Sequence, residues 1–203
     1  RLRKAAWEGR LQVRLVGTQR QVVPSEVERF LRTGGQSRPA TVPSTTQGEA
    51  AMARIIAVAI PKGGTGKTTT VLNLGTALAE QGKRVLLVDS DPQASLTTAL
   101  GFAAHTLEHT LYSVLKYYLT TFHSQIELAI QPTAVGVDLV PSSIRLNRAQ
   151  EELSAAVQRE LVLQRLLEPV SRQYDLILID TLPYLGILVI NALVAAHEVL
   201  IPM

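Results

Sequence analysis

The chain has 203 residues, of which 46% are hydrophobic, and a formal net charge of +3. This length fits one α/β domain with an appendage, and the apolar fraction is ample for a buried core. The sequence contains no cysteine, which excludes disulfide bonds and every cysteine-ligated metal centre, iron–sulfur clusters included.

The positive charge is concentrated at the amino-terminal end. Residues 1–51 hold nine Lys or Arg against four acidic residues, whereas the remainder holds eleven against thirteen. A basic segment joined to a nearly neutral domain is typical of a nucleic-acid contact, so we expect residues 1–51 to carry one.

Residues 1–32 carry the pattern of a small folded module. A helix is predicted over residues 2–8, and alternating apolar residues predict a two-stranded hairpin over residues 11–23. Ser25 and Glu28 have the spacing of a capping box, which predicts the start of a second helix.

This order of helix, hairpin and helix resembles part of an excisionase-like or MerR-like winged helix-turn-helix. The resemblance implies that Arg14 and Arg20 lie on the wing, near the phosphates of a bound nucleic acid. A small basic surface without that fold is the alternative explanation of the same residues.

A change in composition marks the predicted domain boundary. The segment after residue 32 is rich in Gly, Pro, Ser and Thr and has no apolar period, which is typical of a flexible linker. Met52 precedes an apolar strand, so residues 1–51 are either a fused module or sequence upstream of the true start. The predicted organisation is a module over residues 1–32, a linker over 33–52 and a domain over 53–203.

The most informative feature is a glycine-rich turn between a strand and a helix. Residues 54–60 predict a buried strand, residues 69–81 predict an amphipathic helix, and residues 62–69 join them with the sequence Lys-Gly-Gly-Thr-Gly-Lys-Thr-Thr. Backbone N–H groups of such a turn, with the helix N-terminus, bind phosphate. Lys67 would reach the terminal phosphates and the Thr68 hydroxyl would bind Mg²⁺, so this segment predicts binding of a nucleoside triphosphate.

A second buried strand begins at Lys83 and leads to two carboxylates, Asp89 and Asp91. Residues at i and i+2 of an extended segment point the same way, here at the carboxyl end of the sheet, where ligands bind. Phosphoanhydride hydrolysis needs one carboxylate near Mg²⁺ and one near the attacking water. Capping of the following helix is the alternative role for both side chains.

A third buried strand over residues 174–180 ends in Asp180. An apolar strand that delivers a carboxylate to the water shell of Mg²⁺ is the Walker B pattern of nucleotide hydrolases. Many buried strands end in aspartate, but here the strand accompanies a phosphate loop and a pair of carboxylates. Together the three strand ends predict one hydrolytic site.

The remaining pattern alternates helices and strands. A helix is predicted over residues 107–119, a strand over 137–143, two helical runs within 145–167, and a buried helix followed by a strand after residue 185. From residue 54 onward, the predicted strands number five. The predicted fold is an α/β P-loop NTPase domain, a mainly parallel sheet with helices on both faces and nucleotide at its carboxyl edge.

The phosphate loop departs from the common pattern in an informative way. The glycine expected at position 61 is Pro61, and an additional lysine, Lys62, stands next to it. With the Asp-Pro-Gln triplet after the second strand, this arrangement resembles the deviant Walker A motif of the ParA/MinD family, and in particular ParA/Soj-type partition proteins. The resemblance covers residues 54–203, with departures at Ile60, Pro61 and Leu182.

The resemblance implies ATP and Mg²⁺ as cofactors and a Mg²⁺-dependent ATPase that is slow without its partner. It implies that Lys62 reaches the phosphates bound by a second subunit, that Lys67 binds its own, and that Asp91 positions the attacking water. The expected Mg²⁺ residues are Thr68, Asp180 and Asp89, the last as an indirect Mg²⁺ contact or a dimer contact. The expected ATP phosphate contacts are Lys62, Gly63, Gly64, Thr65, Gly66, Lys67, Thr68 and Thr69.

The resemblance also implies partners and a location. We expect ATP-driven homodimerisation, non-specific DNA binding, stimulation by a ParB-like centromere-binding protein, and a cytoplasmic, nucleoid-associated protein without membrane contact. ParA-like proteins run on well beyond this length, so we expect the adenine contacts and the main DNA surface to lie beyond Met203.

Two alternatives remain open. One is a MinD-like positioning ATPase that cycles on membranes, although the Asp-Pro-Gln triplet favours ParA. The other is an ATP-switched regulator in which residues 1–32 bind a specific DNA sequence.

Overall fold

The computed structural model describes residues 52–202 and, nearer the amino terminus, residues 13–16 and 19–22. The chain forms two compact units, Arg1–Glu49 and Ala50–Met203. In the first unit, β1 (Val13–Val16) and β2 (Gln19–Val22) pair antiparallel, as the predicted hairpin requires. The helices predicted on either side of this hairpin, and the linker up to residue 51, lie outside the described residues.

The second unit is built on a six-stranded sheet in the order β5-β6-β4-β7-β3-β8. Neighbouring strands pair in parallel except at the edge, where β5 runs antiparallel to β6. The predicted count of five strands was wrong, because β5 has two residues, one a proline, and is too short to show a period. The strands are β3 (Arg54–Val58), β4 (Val85–Asp89), β5 (Gln131–Pro132), β6 (Asp138–Val140), β7 (Leu176–Asp180) and β8 (Glu198–Leu200).

Helices cover both faces of this sheet, as predicted for a mainly parallel sheet. Short 3₁₀ segments at Ile126–Ala129, Arg159–Leu161 and Glu168–Val170 complete the connections. The helices are α1 (Lys67–Glu80), α2 (Ser95–Ala99), α3 (Leu111–Thr121), α4 (Leu146–Ser154), α5 (Val162–Leu167) and α6 (Ile187–Ala195).

Two hydrophobic cores lie on opposite faces of the sheet. Successive strand residues point to opposite faces, and in β4 Leu86 enters one core whereas Leu87 enters the other. The core around Leu87 also contains residues of α1 and α2, and the larger core around Leu86 contains residues of α3 to α6. The central strands are therefore apolar on both sides, which explains their uninterrupted hydrophobic sequences.

Two helices start at different residues from those predicted. The helix predicted from residue 69 begins at Lys67, directly after Gly66, whose left-handed φ of 78° ends the glycine-rich turn. The helix predicted from residue 107 begins at Leu111, because Thr110 is its N-cap and forms a capping box with Ser113. In both cases the local cap, and not the apolar pattern, determines the first residue of the helix. Of the described helices, none is long and apolar enough to span a bilayer.

A buried asparagine joins α6 to the start of α5. Asn191 is 2% exposed. Its Oδ1 accepts from the backbone N–H of Leu163 at 3.0 Å, and its Nδ2 donates to the carbonyls of Arg159 at 2.8 Å and Ile187 at 2.9 Å. The side chain thus satisfies a donor at the beginning of α5 that has no partner within the helix.

We expect Asn191→Leu to lower the free energy of unfolding by about 1–3 kcal/mol, because it leaves the buried Leu163 N–H without its acceptor and the partly buried Arg159 carbonyl without its donor. Denaturant titration measures the change. The control is Asn147→Leu, an exposed position of α4, where we expect a change within about 0.5 kcal/mol. Equal stability of the two variants would show that the Asn191 bonds are replaced by water.

Candidate nucleotide site

The predicted site residues lie at the carboxyl edge of the three central strands. β7 lies between β3 and β4, with Asp180 opposite both Val58 and Asp89. Hydrogen bonds hold these strand ends together. The Ser90 Oγ and N–H both donate to the Asp180 carbonyl, at 2.6 and 3.0 Å, and the Thr181 hydroxyl donates to the Val58 carbonyl at 2.8 Å. The phosphate loop therefore begins beside the two aspartate-bearing strands.

The loop after β3 has the backbone conformation of an open cradle. Gly64 and Gly66 have φ of 71° and 78°, in the left-handed region that favours glycine. No neighbouring heavy atom lies within 4 Å of the position a Cβ would take at Gly63, Gly64 or Gly66. The space that their missing side chains leave is therefore open to a ligand. The Thr65 hydroxyl donates to the Lys62 carbonyl at 3.3 Å across the turn.

The two lysines of the loop have different environments. Lys67 is 7% exposed, and its Nζ donates to the Lys62 carbonyl at 3.1 Å, so its ammonium lies within the turn. The side chain of Lys62, by contrast, is exposed. The sequence pattern predicted both lysines as phosphate contacts but did not distinguish the buried one from the exposed one.

Asp180 is a buried carboxylate without a hydrogen-bond partner among the described residues. The residue has no exposed surface, and neither Oδ1 nor Oδ2 receives a hydrogen bond. Burial raises the pKa of Asp180 to about 7, and the charges of Asp89 and Asp91 add to this rise. The Thr68 hydroxyl is close enough to favour the charged form, as is the Lys67 ammonium, but the hydroxyl does not meet the geometry of a hydrogen bond to either oxygen. A cation in the site would provide the partner that the protein does not.

Asp89 is equally buried but differs in its contacts. Its Oδ2 accepts from the Thr97 hydroxyl at 2.7 Å and the Thr97 N–H at 2.9 Å, and its Oδ1 accepts from the Asp91 N–H at 3.2 Å. Burial raises the pKa of Asp89 to about 6, although these hydrogen bonds favour the charged form. Because three donors already occupy this carboxylate, an indirect role at Mg²⁺ agrees with its geometry better than direct coordination.

Asp91 is half-exposed at the beginning of the turn that leads to α2. Its Oδ1 accepts from the Gln93 N–H at 2.9 Å, and its carbonyl accepts from the Ala94 N–H at 2.9 Å. This turn holds the carboxylate beside the strand end while leaving it accessible to solvent, as a group that positions water requires.

Three residues of the site were not predicted as such. Thr97, Ser90 and Thr181 carry the hydrogen bonds that join the strand ends to each other and to α2. Threonine and serine occur throughout this chain, so residue type alone does not identify these three. Thr97 was distinguished only by its position after the Asp-Pro-Gln triplet. The partners of Ser90 and Thr181 are distant in sequence, so no local pattern could have identified these two residues.

The residues fit a magnesium–nucleotide complex. No group of three or more His, Cys, Asp or Glu able to hold a metal occurs in the part of the chain that the structure describes. A divalent ion would therefore take ligands from phosphates and water, with the Thr68 hydroxyl and the unpaired Asp180 carboxylate as protein oxygens. Mg²⁺ is bound in this way, by few protein oxygens together with phosphates and water, in many nucleotide sites.

Comparisons with known proteins identify the family of this chain. A family model described as an AAA domain matches residues 53–203. The sporulation initiation inhibitor protein Soj of Bacillus subtilis is 44% identical over 152 residues, covering 75% of this chain and 58% of Soj. The chromosome partitioning protein ParA of Caulobacter vibrioides is 39% identical over 152 residues, covering 74% of this chain and 55% of ParA.

A solved structure shares the fold. The crystal structure of cobyrinic acid a,c-diamide synthase from Mycobacterium smegmatis, with bound ADP and magnesium, matches with a TM-score of 0.71 and 42% identity. The match covers 75% of this chain and 60% of that protein. The chain thus spans a little more than half the length of these relatives. From its phosphate loop, its sheet and these matches, the chain belongs to the AAA domain family of P-loop ATPases, in its ParA/MinD group.

Proposed function

We propose that this protein is a partition ATPase. It binds and hydrolyses ATP with Mg²⁺, dimerises on ATP, binds DNA non-specifically, and is stimulated by a ParB-like centromere-binding partner. It acts in the cytoplasm on the nucleoid, in the segregation of a chromosome or plasmid. Two of its relatives by sequence, Soj and ParA, carry sporulation-inhibitor and chromosome-partitioning names, which supports this class.

The observation that carries the proposal is the separation of the two loop lysines. Lys67 is buried with its Nζ on the Lys62 carbonyl, so it serves the phosphates of its own cradle. Lys62 is exposed, so we infer that it is available to a second subunit. A nucleotide bound between two copies would use both lysines and would be held less firmly in a monomer.

The other residues have distinct roles in this proposal. Thr68 and Asp180 would hold Mg²⁺, which would supply positive charge to neutralise the negative charge that develops during hydrolysis. The cradle amides of residues 63–66 bind phosphate, Thr65 and Thr69 line the cradle, and Thr68 and Asp180 hold the metal with its water. Asp91 orients the attacking water, and Asp89 fixes the turn that carries Asp91 through the Asp91 N–H.

The test compares binding to random-sequence DNA with ATP–Mg²⁺, with ADP–Mg²⁺ and without nucleotide. It uses the protein as its gene encodes it, with and without residues 1–51. We expect binding with ATP only, independent of residues 1–51. We expect Lys62→Ala to weaken it about 30-fold or more, because an interfacial charge is lost, whereas Lys116→Ala, an exposed lysine of α3, leaves it unchanged.

Each other outcome favours a different function. Nucleotide-independent binding that requires residues 1–51 would favour the DNA-binding regulator. ATP-dependent binding to anionic lipid vesicles without DNA binding would favour the membrane-cycling alternative. Binding to neither would favour an enzyme that uses ATP on a small molecule, as the name of the synthase from Mycobacterium smegmatis indicates for that protein.

A further inference from the structure

A buried threonine links the end of β4, which carries Asp89, to the loop that follows β6. Thr97, in α2, has no exposed surface. Its hydroxyl donates to Asp89 Oδ2 at 2.7 Å and accepts from the backbone N–H of Ser142 at 2.9 Å. Ser142 lies just after β6, so one hydroxyl connects β4, α2 and the loop that leaves β6.

The direction of these hydrogen bonds is determined by the donors. The Ser142 N–H can only donate, so the Thr97 oxygen accepts from it and the single hydroxyl proton points at Asp89. The Thr97 N–H also donates to the same carboxylate oxygen, at 2.9 Å. The network therefore requires Asp89 as an acceptor, which holds the carboxylate in one orientation. Hydrogen bonds to a charged acceptor in a buried site are among the stronger ones in proteins.

The network continues from Asp89 to Asp91, the residue proposed to orient the attacking water. Asp89 Oδ1 accepts from the Asp91 N–H at 3.2 Å. The backbone of Asp91 is therefore tied to a carboxylate whose orientation depends on Thr97. A rotation of the Asp89 side chain would release the Asp91 backbone and with it the position of the Asp91 carboxylate.

We propose that Thr97 is a positioning residue for ATP hydrolysis, which acts through Asp89 to hold Asp91 in place. The inference rests on the proposed ATPase function. Thr97 does not touch nucleotide, metal or water in this proposal. Through Ser142 it also couples the loop after β6 to the same aspartates, so a displacement of that loop would reach the hydrolytic site.

The first test is steady-state ATPase kinetics of the full protein with Thr97→Val, Thr97→Ser and Thr98→Val. Valine has the shape of threonine without its hydroxyl, and serine keeps the hydroxyl. Thr98 is the exposed neighbour in α2, with its hydroxyl on the Ala94 carbonyl. We expect Thr97→Val to lower kcat about 10- to 100-fold with KM for ATP within about threefold. We expect Thr97→Ser and Thr98→Val to keep kcat and KM near the wild-type values.

The second test measures hydrogen exchange of the Ser142 and Asp91 amides in the nucleotide-free protein. We expect Thr97→Val to accelerate exchange at Ser142 and Asp91, and Thr97→Ser to retain protection. If Thr97→Val does not fold, Thr97→Ala replaces it in both tests.

The outcomes separate this inference from the proposed function. Absence of ATPase activity in the wild type contradicts the proposed function. An active wild type whose kcat is unchanged in Thr97→Val contradicts the positioning role. A loss in Thr97→Ser as large as in Thr97→Val contradicts the role of the hydroxyl, and a rise in KM without a change in kcat shows that Thr97 serves binding instead.

Discussion

Asp180→Asn is expected to make the nucleotide-free protein more stable while it removes hydrolysis. The carboxylate is fully buried and both its oxygens lack a partner among the described residues, so its charge opposes folding when no cation is bound. Removing the charge should raise the free energy of unfolding by about 1–3 kcal/mol. The same change should lower the rate of ATP hydrolysis roughly 100- to 1000-fold, because a group that stabilises charge at the phosphates is lost.

Asp175→Asn is the matched control for this variant, because the same chemical change is made just before the other end of β7. Asp175 forms an exposed ion pair with Arg84 at 2.9 Å, and that contact lowers the pKa of the Asp175 carboxyl. Loss of this ion pair should lower the free energy of unfolding by less than about 1 kcal/mol and leave the rate of ATP hydrolysis unchanged. Denaturant titration without nucleotide and a phosphate-release assay measure both effects. A destabilised Asp180→Asn protein would mean that water or a protein group already compensates the carboxylate.

Lys67→Ala is expected to weaken nucleotide binding about 100-fold, because a desolvated ammonium within the phosphate loop is lost. Lys67 is buried in the turn and its Nζ is held on the Lys62 carbonyl, so the charge is already placed before nucleotide arrives. A flexible, solvated lysine would lose conformational entropy on binding, whereas this one loses little. Titration with a fluorescent ATP analogue in Mg²⁺ measures the affinity.

Two other lysines make the comparison specific. Lys62→Ala should retain most of the nucleotide affinity of a monomer, because that side chain is exposed and in the proposal serves the second subunit. Lys116→Ala should have no effect. Equal losses in Lys62→Ala and Lys67→Ala would show that both side chains bind the phosphates of the same subunit, and the proposed exchange between subunits would then be wrong.

The central part of the fold was predictable because its signals are local. The strands that became β3, β4 and β7 are continuous apolar runs, and the glycine-rich turn stands between a strand and a helix in the sequence itself. β5 was missed because two residues, one of them a proline, show no period. The start of α3 was misplaced because the capping box of Thr110 and Ser113 competes with an apolar pattern that begins earlier.

The positions of the candidate site residues at the strand ends were predictable, but their hydrogen bonding was not. The pattern placed Asp89 and Asp180 at strand ends, and the family resemblance assigned Asp180 to Mg²⁺ and Asp89 to an indirect Mg²⁺ contact or a dimer contact. The structure shows that three hydrogen bonds occupy Asp89, whereas neither oxygen of Asp180 has a partner among the described residues. The donors to Asp89 come from the turn and helix that follow it, and their contact with that carboxylate depends on a turn closed by Ala94 in the left-handed conformation.

The sequence by itself determined the class of fold, the phosphate loop and the three aspartates. Those features depend on residue type and spacing within short segments, where backbone preference and apolar period act locally. Tertiary structure alone decided the order of the strands, the contact of Thr97 with Ser142 across 45 residues, and the burial of Lys67 against the exposure of Lys62. Such contacts arise from the packing of segments far apart in the chain. Their free energy depends on that packing, so a local sequence pattern does not predict them.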